Sequence, residues 1–236
     1  YPGGPQASDA EIRIRYLREF GADAESGTGE VSELLGKLPE VLISSESQYL
    51  IGEYQFSRRN YEAAAASFER SIGCEEPARA DRARYLLGES RLKLALKARL
   101  TDNPEAALAF RTSGAADLEA VVSDHPDSPW ADDAAVALIE MRVSEANADT
   151  AHARGILVDY ASFQKQYPHS DRLDLAVLRT ADAHRTIAAV DTGYVRTAES
   201  GYREFIRRFP DSALADRAAF GLGACQALAG DYVASE

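Results

Sequence analysis

Apolar and polar residues alternate along this chain with the three-to-four-residue step of a helix. Leu118/Val121/Val122, Tyr160/Phe163/Tyr167 and Tyr202/Phe205/Phe209 each place apolar groups on one helical face. Each stretch runs into a proline, Pro126, Pro168 or Pro210, which stops the helix. Two residues later stands Ser128, Ser170 or Ser212, whose hydroxyl can accept from free amides at the start of the next helix, as an N-cap does. Pro129 falls where a first-turn proline is tolerated. The Pro-x-Ser element recurs at equal intervals, at Pro126, Pro168 and Pro210, and an Ala-rich stretch follows each copy. The predicted unit is helix, tight turn, helix.

The first half carries a related unit with a different loop. Ala80–Gly88 aligns with Ala215–Gly223 at five of nine positions, as Ala-Asp-Arg-Ala and the final Gly. Upstream, Tyr49-Leu50-Ile51-Gly52 precedes Asn60-Tyr61-Glu62-Ala63-Ala64 and Phe68. These patterns predict helix pairs over about 45–73, 78–124 with a break at Thr101-Asp102-Asn103-Pro104, 128–167 and 170–209, and a fifth pair from Ser212. Residues 1–44 read as a Pro/Gly-rich lead-in, a helix from the capping-box pair Ser8/Glu11 to about Phe20, a loop over 21–29 and a short helix from about Glu30 to Leu38. Residues 45–236 then form the array. A second helix is expected after Gly230-Asp231-Tyr232, so the array reads as cut within its fifth pair, and a longer chain is expected to melt at higher temperature.

The Ile-Gly pair at 51–52, Tyr61, Ala64 and Phe68 resemble the signature of the tetratricopeptide repeat family, and Leu222-Gly223 with Gly230-Asp231-Tyr232 begins it again. The aromatic-Pro-x-Ser form resembles a narrower group of bacterial envelope members, the outer-membrane assembly lipoproteins and the TolA-binding coordinators. The resemblance covers roughly 45–236 and departs at Ile139 and Ala181, which stand where the repeat glycine belongs, and in showing no lipoprotein cysteine at the start. It implies an all-α solenoid of about five antiparallel helix pairs, in which small residues let helices approach and large ones fill the grooves between pairs. It also implies a periplasmic or envelope location and protein segments as ligands.

Charge narrows the partner class. Asp and Glu outnumber Lys and Arg 38 to 26, a formal charge of -12 that argues against phosphate-rich partners such as nucleic acid. No stretch approaches the ~20 apolar residues of a membrane span. Cys74 and Cys225 lie too far apart in sequence for a CxxC site and read as small packing thiols.

Candidate chemistry is sparse. His125 and His169 lie beside turn prolines, His152 reads as lying between two helices, and Asp182 is on a different helix face from His184, so no metal site is expected. No Gly-x-Ser-x-Gly elbow occurs, and Gly221-Leu222-Gly223 lacks the later Gly and Lys of a phosphate loop. Adjacent carboxylates such as Glu75-Glu76 and Asp132-Asp133 read as solvated faces. No cofactor and no catalytic residue are expected.

What remains is surface. In a tetratricopeptide-type array the first helix of each pair lines the concave side, which places Tyr49, Glu53 and Phe56 of pair one and Arg82, Tyr85, Glu89 and Lys93 of pair two on a groove. Tyrosine with mixed charge suits an extended or helical peptide. The expected function is a non-catalytic protein-binding scaffold of the bacterial envelope. The alternative is an intracellular regulatory arm of a larger protein, with an enzyme beyond residue 236; catalysis by the array itself is the least supported reading.

Overall fold

A computed structural model describes residues 44–75, 77, 79–145 and 150–233, and among them the regular elements are all helical. The fold class is all-α. The helices are α1 (Ser45–Ser57), α2 (Tyr61–Ile72), α3 (Ala80–Leu100), α4 (Pro104–Asp124), α5 (Ala131–Glu145), α6 (Thr150–Gln166), α7 (Leu173–Ala188), α8 (Val195–Arg208) and α9 (Ala215–Val233). The helices expected near 8–20 and 30–38 lie outside the described residues. The chain divides into two compact units, residues 1–131 and 132–236.

In the first unit each helix packs on the next in sequence, and α1 also reaches α3. The chain reverses twice through the same short device. Arg59 (φ 60°) and Asp102 (φ 54°) adopt left-handed backbone just past α1 and α3. The amides that follow close the turn, Asn60 onto the Gln55 carbonyl and Asn103 onto the Ala98 carbonyl, both at 2.9 Å. The same two asparagines then cap the next helix, Asn60 accepting from the Ala63 amide at 3.4 Å and Asn103 from Ala106 at 3.1 Å. Pro104 follows at the first helical position, where its missing N–H costs nothing. Tyr49 and Leu50 of α1, Ala64 and Phe68 of α2, and Ala83 and Leu87 of α3 form one core. Two glycines mark close approaches between helices of this unit: a Cβ on Gly52 of α1 would lie 2.6 Å from the Phe68 ring of α2, and one on Gly88 of α3 2.8 Å from Leu118 of α4.

The second unit has two apolar clusters with α7 between them. Ala176, Ala183 and Ile187 face Val136 and Ile139 of α5 and Ile156, Tyr160 and Phe163 of α6. Val177, Leu178 and Ala181 face Tyr202 and Phe205 of α8 and Ala218 and Cys225 of α9. A helix used on both sides explains why none of its residues from Leu173 to Ala188 is exposed. It also explains Ala181: a Cβ on Gly201 of α8 would lie 3.0 Å from the Ala181 Cβ, so the small residue of this close approach sits on the second helix of the pair.

The Pro-x-Ser serines act as expected, one turn earlier than a simple cap. Ser128, Ser170 and Ser212 accept from the amides of Trp130, Arg172 and Leu214 at 3.1, 3.0 and 3.1 Å. The regular helices begin shortly after each serine, at Ala131, Leu173 and Ala215. Two expectations are corrected. Helix α9 runs unbroken through Gly230 to Val233, because one glycine inside a helix costs only about 1 kcal/mol and does not stop it. His152 lies in the first turn of α6 rather than between helices.

Candidate functional site

The expected groove residues lie on α1 and α3, as the spacing required, but their environments differ. Tyr49 is 0% exposed, enclosed with Phe68 in the core of the first unit, so it offers no surface to a partner. Its burial follows from facing α2, and burial, reinforced by the neighbouring Glu53 carboxylate, pushes its phenol far above the usual range. Phe56 is half-buried, edge-on to Tyr61 with ring centres 5.5 Å apart. Glu53 and Arg82 meet each other at 2.6 Å across α1 and α3. The Arg82 guanidinium also lies over the Tyr49 ring at 5.8 Å and over the Trp130 ring at 4.8 Å.

Trp130 is the residue that sequence reasoning missed. It follows Pro129 in the loop after α4 and stacks on Tyr85 with ring centres 5.5 Å apart at 20°. The only tryptophan of the chain, just past a Pro-x-Ser turn, was the available signal. Beyond this aromatic pair Glu89 and Lys93 form an i,i+4 ion pair at 3.6 Å, and Lys93 is exposed. Tyr85, Trp130, Glu89 and Lys93 therefore make a half-exposed patch of stacked aromatics and paired charge on α3 and the loop after α4.

The Glu53–Arg82 join is one of a series. In the second unit Arg179 of α7 binds both oxygens of Glu140 on α5, and Arg217 of α9 binds Asp182 of α7. Each pair links the first helices of successive pairs within its unit. A buried tyrosine of the intervening helix donates to the same carboxylate, Tyr160 to Glu140 and Tyr202 to Asp182, the latter at 2.8 Å. Glu140/Asp182 and Tyr160/Tyr202 are both separated by the same interval as the Pro-x-Ser turns. Burial and the adjacent carboxylate push both phenols well above the usual range, so they stay protonated as donors.

Beside these joins the second unit holds a cleft of about 210 Å³. Val143, Ala153, Ile156 and Ala183 supply apolar lining, and Arg179, Arg185 and Arg217 supply guanidinium groups around Asp182. Arg185 differs from its neighbours: its hydrogen bond among the described residues runs from Nε to the Tyr202 hydroxyl at 3.1 Å. Burial opposes its charge, and the Tyr202 hydroxyl and Asp182 more than offset it.

Among the described residues no cluster of three or more His, Cys, Asp or Glu side chains is placed to hold a metal. No described helix is long and apolar enough to cross a membrane. Cys225 is fully buried and Cys74 half-buried, with its thiol donating to the Arg70 carbonyl at 3.3 Å. Compared with known proteins, the chain matches no protein-family model and no curated protein.

Proposed function

We propose that the chain is a tetratricopeptide-like helical repeat scaffold that holds protein segments and catalyses nothing, working in the bacterial cell envelope. The observation that carries the repeat reading is the agreement of period and burial. Leu118, Tyr160 and Tyr202, one period apart in sequence, are each 0% exposed. Val121, Phe163 and Phe205 repeat the agreement on the same helices, and Ala134, Ala176 and Ala218 on the first helices. One sequence period thus maps onto one structural position, as stacked pairs require. Within each unit, the ion pairs that link first helix to first helix support stacked helix pairs. The envelope location rests on the Pro-x-Ser resemblance alone.

The binding surface in this reading is the α3 patch of Tyr85, Trp130, Glu89 and Lys93, with the aromatic pair as anchor and the charges as register contacts. Selection from a displayed library of random peptides tests it. Enriched peptides are expected to bind the wild type and to lose at least about tenfold in affinity to Tyr85→Ala and to Lys93→Glu. Lys93 is exposed, so its charge reversal leaves the fold intact, which a circular dichroism melt checks. Failure to enrich any peptide, or equal affinity for both variants, sinks the proposal.

A further inference from the structure

We infer that the cleft of the second unit is a binding site for a small organic carboxylate with an apolar body. The charge around it is unbalanced. Three guanidiniums, Arg179, Arg185 and Arg217, and one carboxylate, Asp182, line it; Glu140, outside the lining, engages Arg179, and both carboxylates are already engaged. Arg179 closes on Glu140 through two nitrogens, and Arg217 closes on Asp182. Arg185 is left with a neutral partner, the Tyr202 hydroxyl, which it receives because that hydroxyl spends its own proton on Asp182 at 2.8 Å. A monoanion in the cleft would give this half-buried cation the direct charge-assisted hydrogen bonds that a neutral hydroxyl does not supply.

Geometry narrows the ligand further. Guanidinium presents a planar fork that matches a carboxylate, and Tyr202 already orients Arg185 through Nε. One cation in excess suits one negative charge better than a phosphate dianion. Val143, Ala153, Ile156 and Ala183 give the cleft an apolar wall that suits a hydrocarbon body, and His152 and Thr186 complete the lining. A water occupies ~30 Å³ in the liquid and covalently bonded atoms pack closer than waters, so a cleft of about 210 Å³ takes about seven waters or roughly ten bonded non-hydrogen atoms, the size of a carboxylate carrying a short aliphatic chain or one ring. The whole chain is acidic, so a cationic pocket in it is a local construction rather than a reflection of net charge. The site is independent of the scaffold reading, because it lies wholly in the second unit and shares no residue with the α3 patch.

Titration of the full chain with 3-phenylpropionate, followed by isothermal calorimetry and by ligand-observed magnetic resonance, tests the site. The acid is expected to bind at about millimolar or tighter, and 3-phenylpropan-1-ol and inorganic phosphate at least about tenfold more weakly. Arg185→Met is expected to lower affinity for the acid at least about tenfold, Arg185→Lys to retain part of it, and Arg207→Met on the exposed side of α8 to change nothing. Unchanged melting of Arg185→Lys keeps the comparison valid if Arg185→Met fails to fold. An acetylated tripeptide ending in Phe identifies the source of the carboxylate: tighter binding than the free acid assigns the cleft to a chain end, weaker binding to a free metabolite-sized acid. Equal affinity for acid and alcohol, preference for phosphate, absence of binding by either carboxylate, or retention of full affinity in both Arg185 variants overturns the inference.

Discussion

The Ser212 hydroxyl, in the turn that leads into α9, donates to the Asp174 carboxylate in the first turn of α7 at 2.6 Å. Ser128 does the same to Asp81 of α3 at 2.7 Å. In each case the same oxygen accepts a backbone amide two residues ahead, so a single serine closes its own turn and fastens it to the first helix of the preceding pair. At Ser128 and Ser212 the Pro-x-Ser turn is thus a clasp as well as a punctuation mark. Ser212→Ala removes both bonds and is expected to cost about 1 kcal/mol, with a similar loss for Ser128→Ala, measurable by urea denaturation.

Two kinds of glycine are distinguishable. Gly52→Ala and Gly88→Ala drive a methyl into Phe68 and Leu118, and each is expected to destabilise by about 1–3 kcal/mol. On α9 a Cβ at Gly221 would lie 2.4 Å from the Tyr202 ring, whereas none of the described residues comes within 4 Å of one at Gly223. Gly223→Ala should therefore stabilise by roughly 0.5–1 kcal/mol through helix propensity. Loss of stability in Gly223→Ala contradicts this packing.

The left-handed turn residues are suboptimal. An L-residue in that conformation costs roughly 1–2 kcal/mol, and glycine avoids the cost while adding entropy to the unfolded chain. Arg59→Gly and Asp102→Gly are each expected to gain about 0.5 kcal/mol, read as a higher denaturation midpoint at constant slope.

Arg91 of α3 ties Asp117 of α4 and Glu69 of α2. Burial raises the Asp117 carboxyl above its ordinary range, and Arg91 holds that rise in check. Arg91→Met leaves the acid half-buried without its cation, at a cost between that of an exposed and a buried pair, roughly 1–3 kcal/mol. The raised carboxyl makes the native state bind more protons than the unfolded state above the ordinary aspartate range. The deficit of Arg91→Met should therefore grow as pH rises from about 4 to 7, and a pH-independent deficit argues against the assignment.

His184 stacks on Tyr194, ring centres 5.8 Å apart, and burial lowers its pKa. The unfolded chain then binds the proton first as pH falls through about 6.5, so stability contributed by neutral His184 is full above that value and is lost below it. The fall in melting temperature between pH 7.5 and 5.5 should be smaller in His184→Gln than in the wild type, a comparison that cancels titrations common to both proteins.

Local rules placed most of the helices. The helix boundaries at Ser45, Pro104 and Asp124 follow from a cap, a first-turn proline and a proline stop, all of which act within a few residues. The site was less legible. Tyr49, Glu53 and Arg82 share the right helices for a groove, but which side of α1 faces α2 depends on where Phe68 packs, and that buried Tyr49 while turning Glu53 and Arg82 on each other. Trp130 joined the patch from a loop after α4, and the cleft drew Arg179, Arg185 and Arg217 from two helices; no periodicity within one helix reveals either.

What the sequence by itself determined is the all-helical fold, its repeat period and the serine-capped turns, because capping, proline sterics and apolar spacing are short-range. Only the tertiary structure decided which glycines are contact points, which carboxylates meet which arginines, and that Arg185 alone of its cluster faces a neutral partner. Charge compensation depends on distances between helices, and those are set by packing rather than by position along the chain.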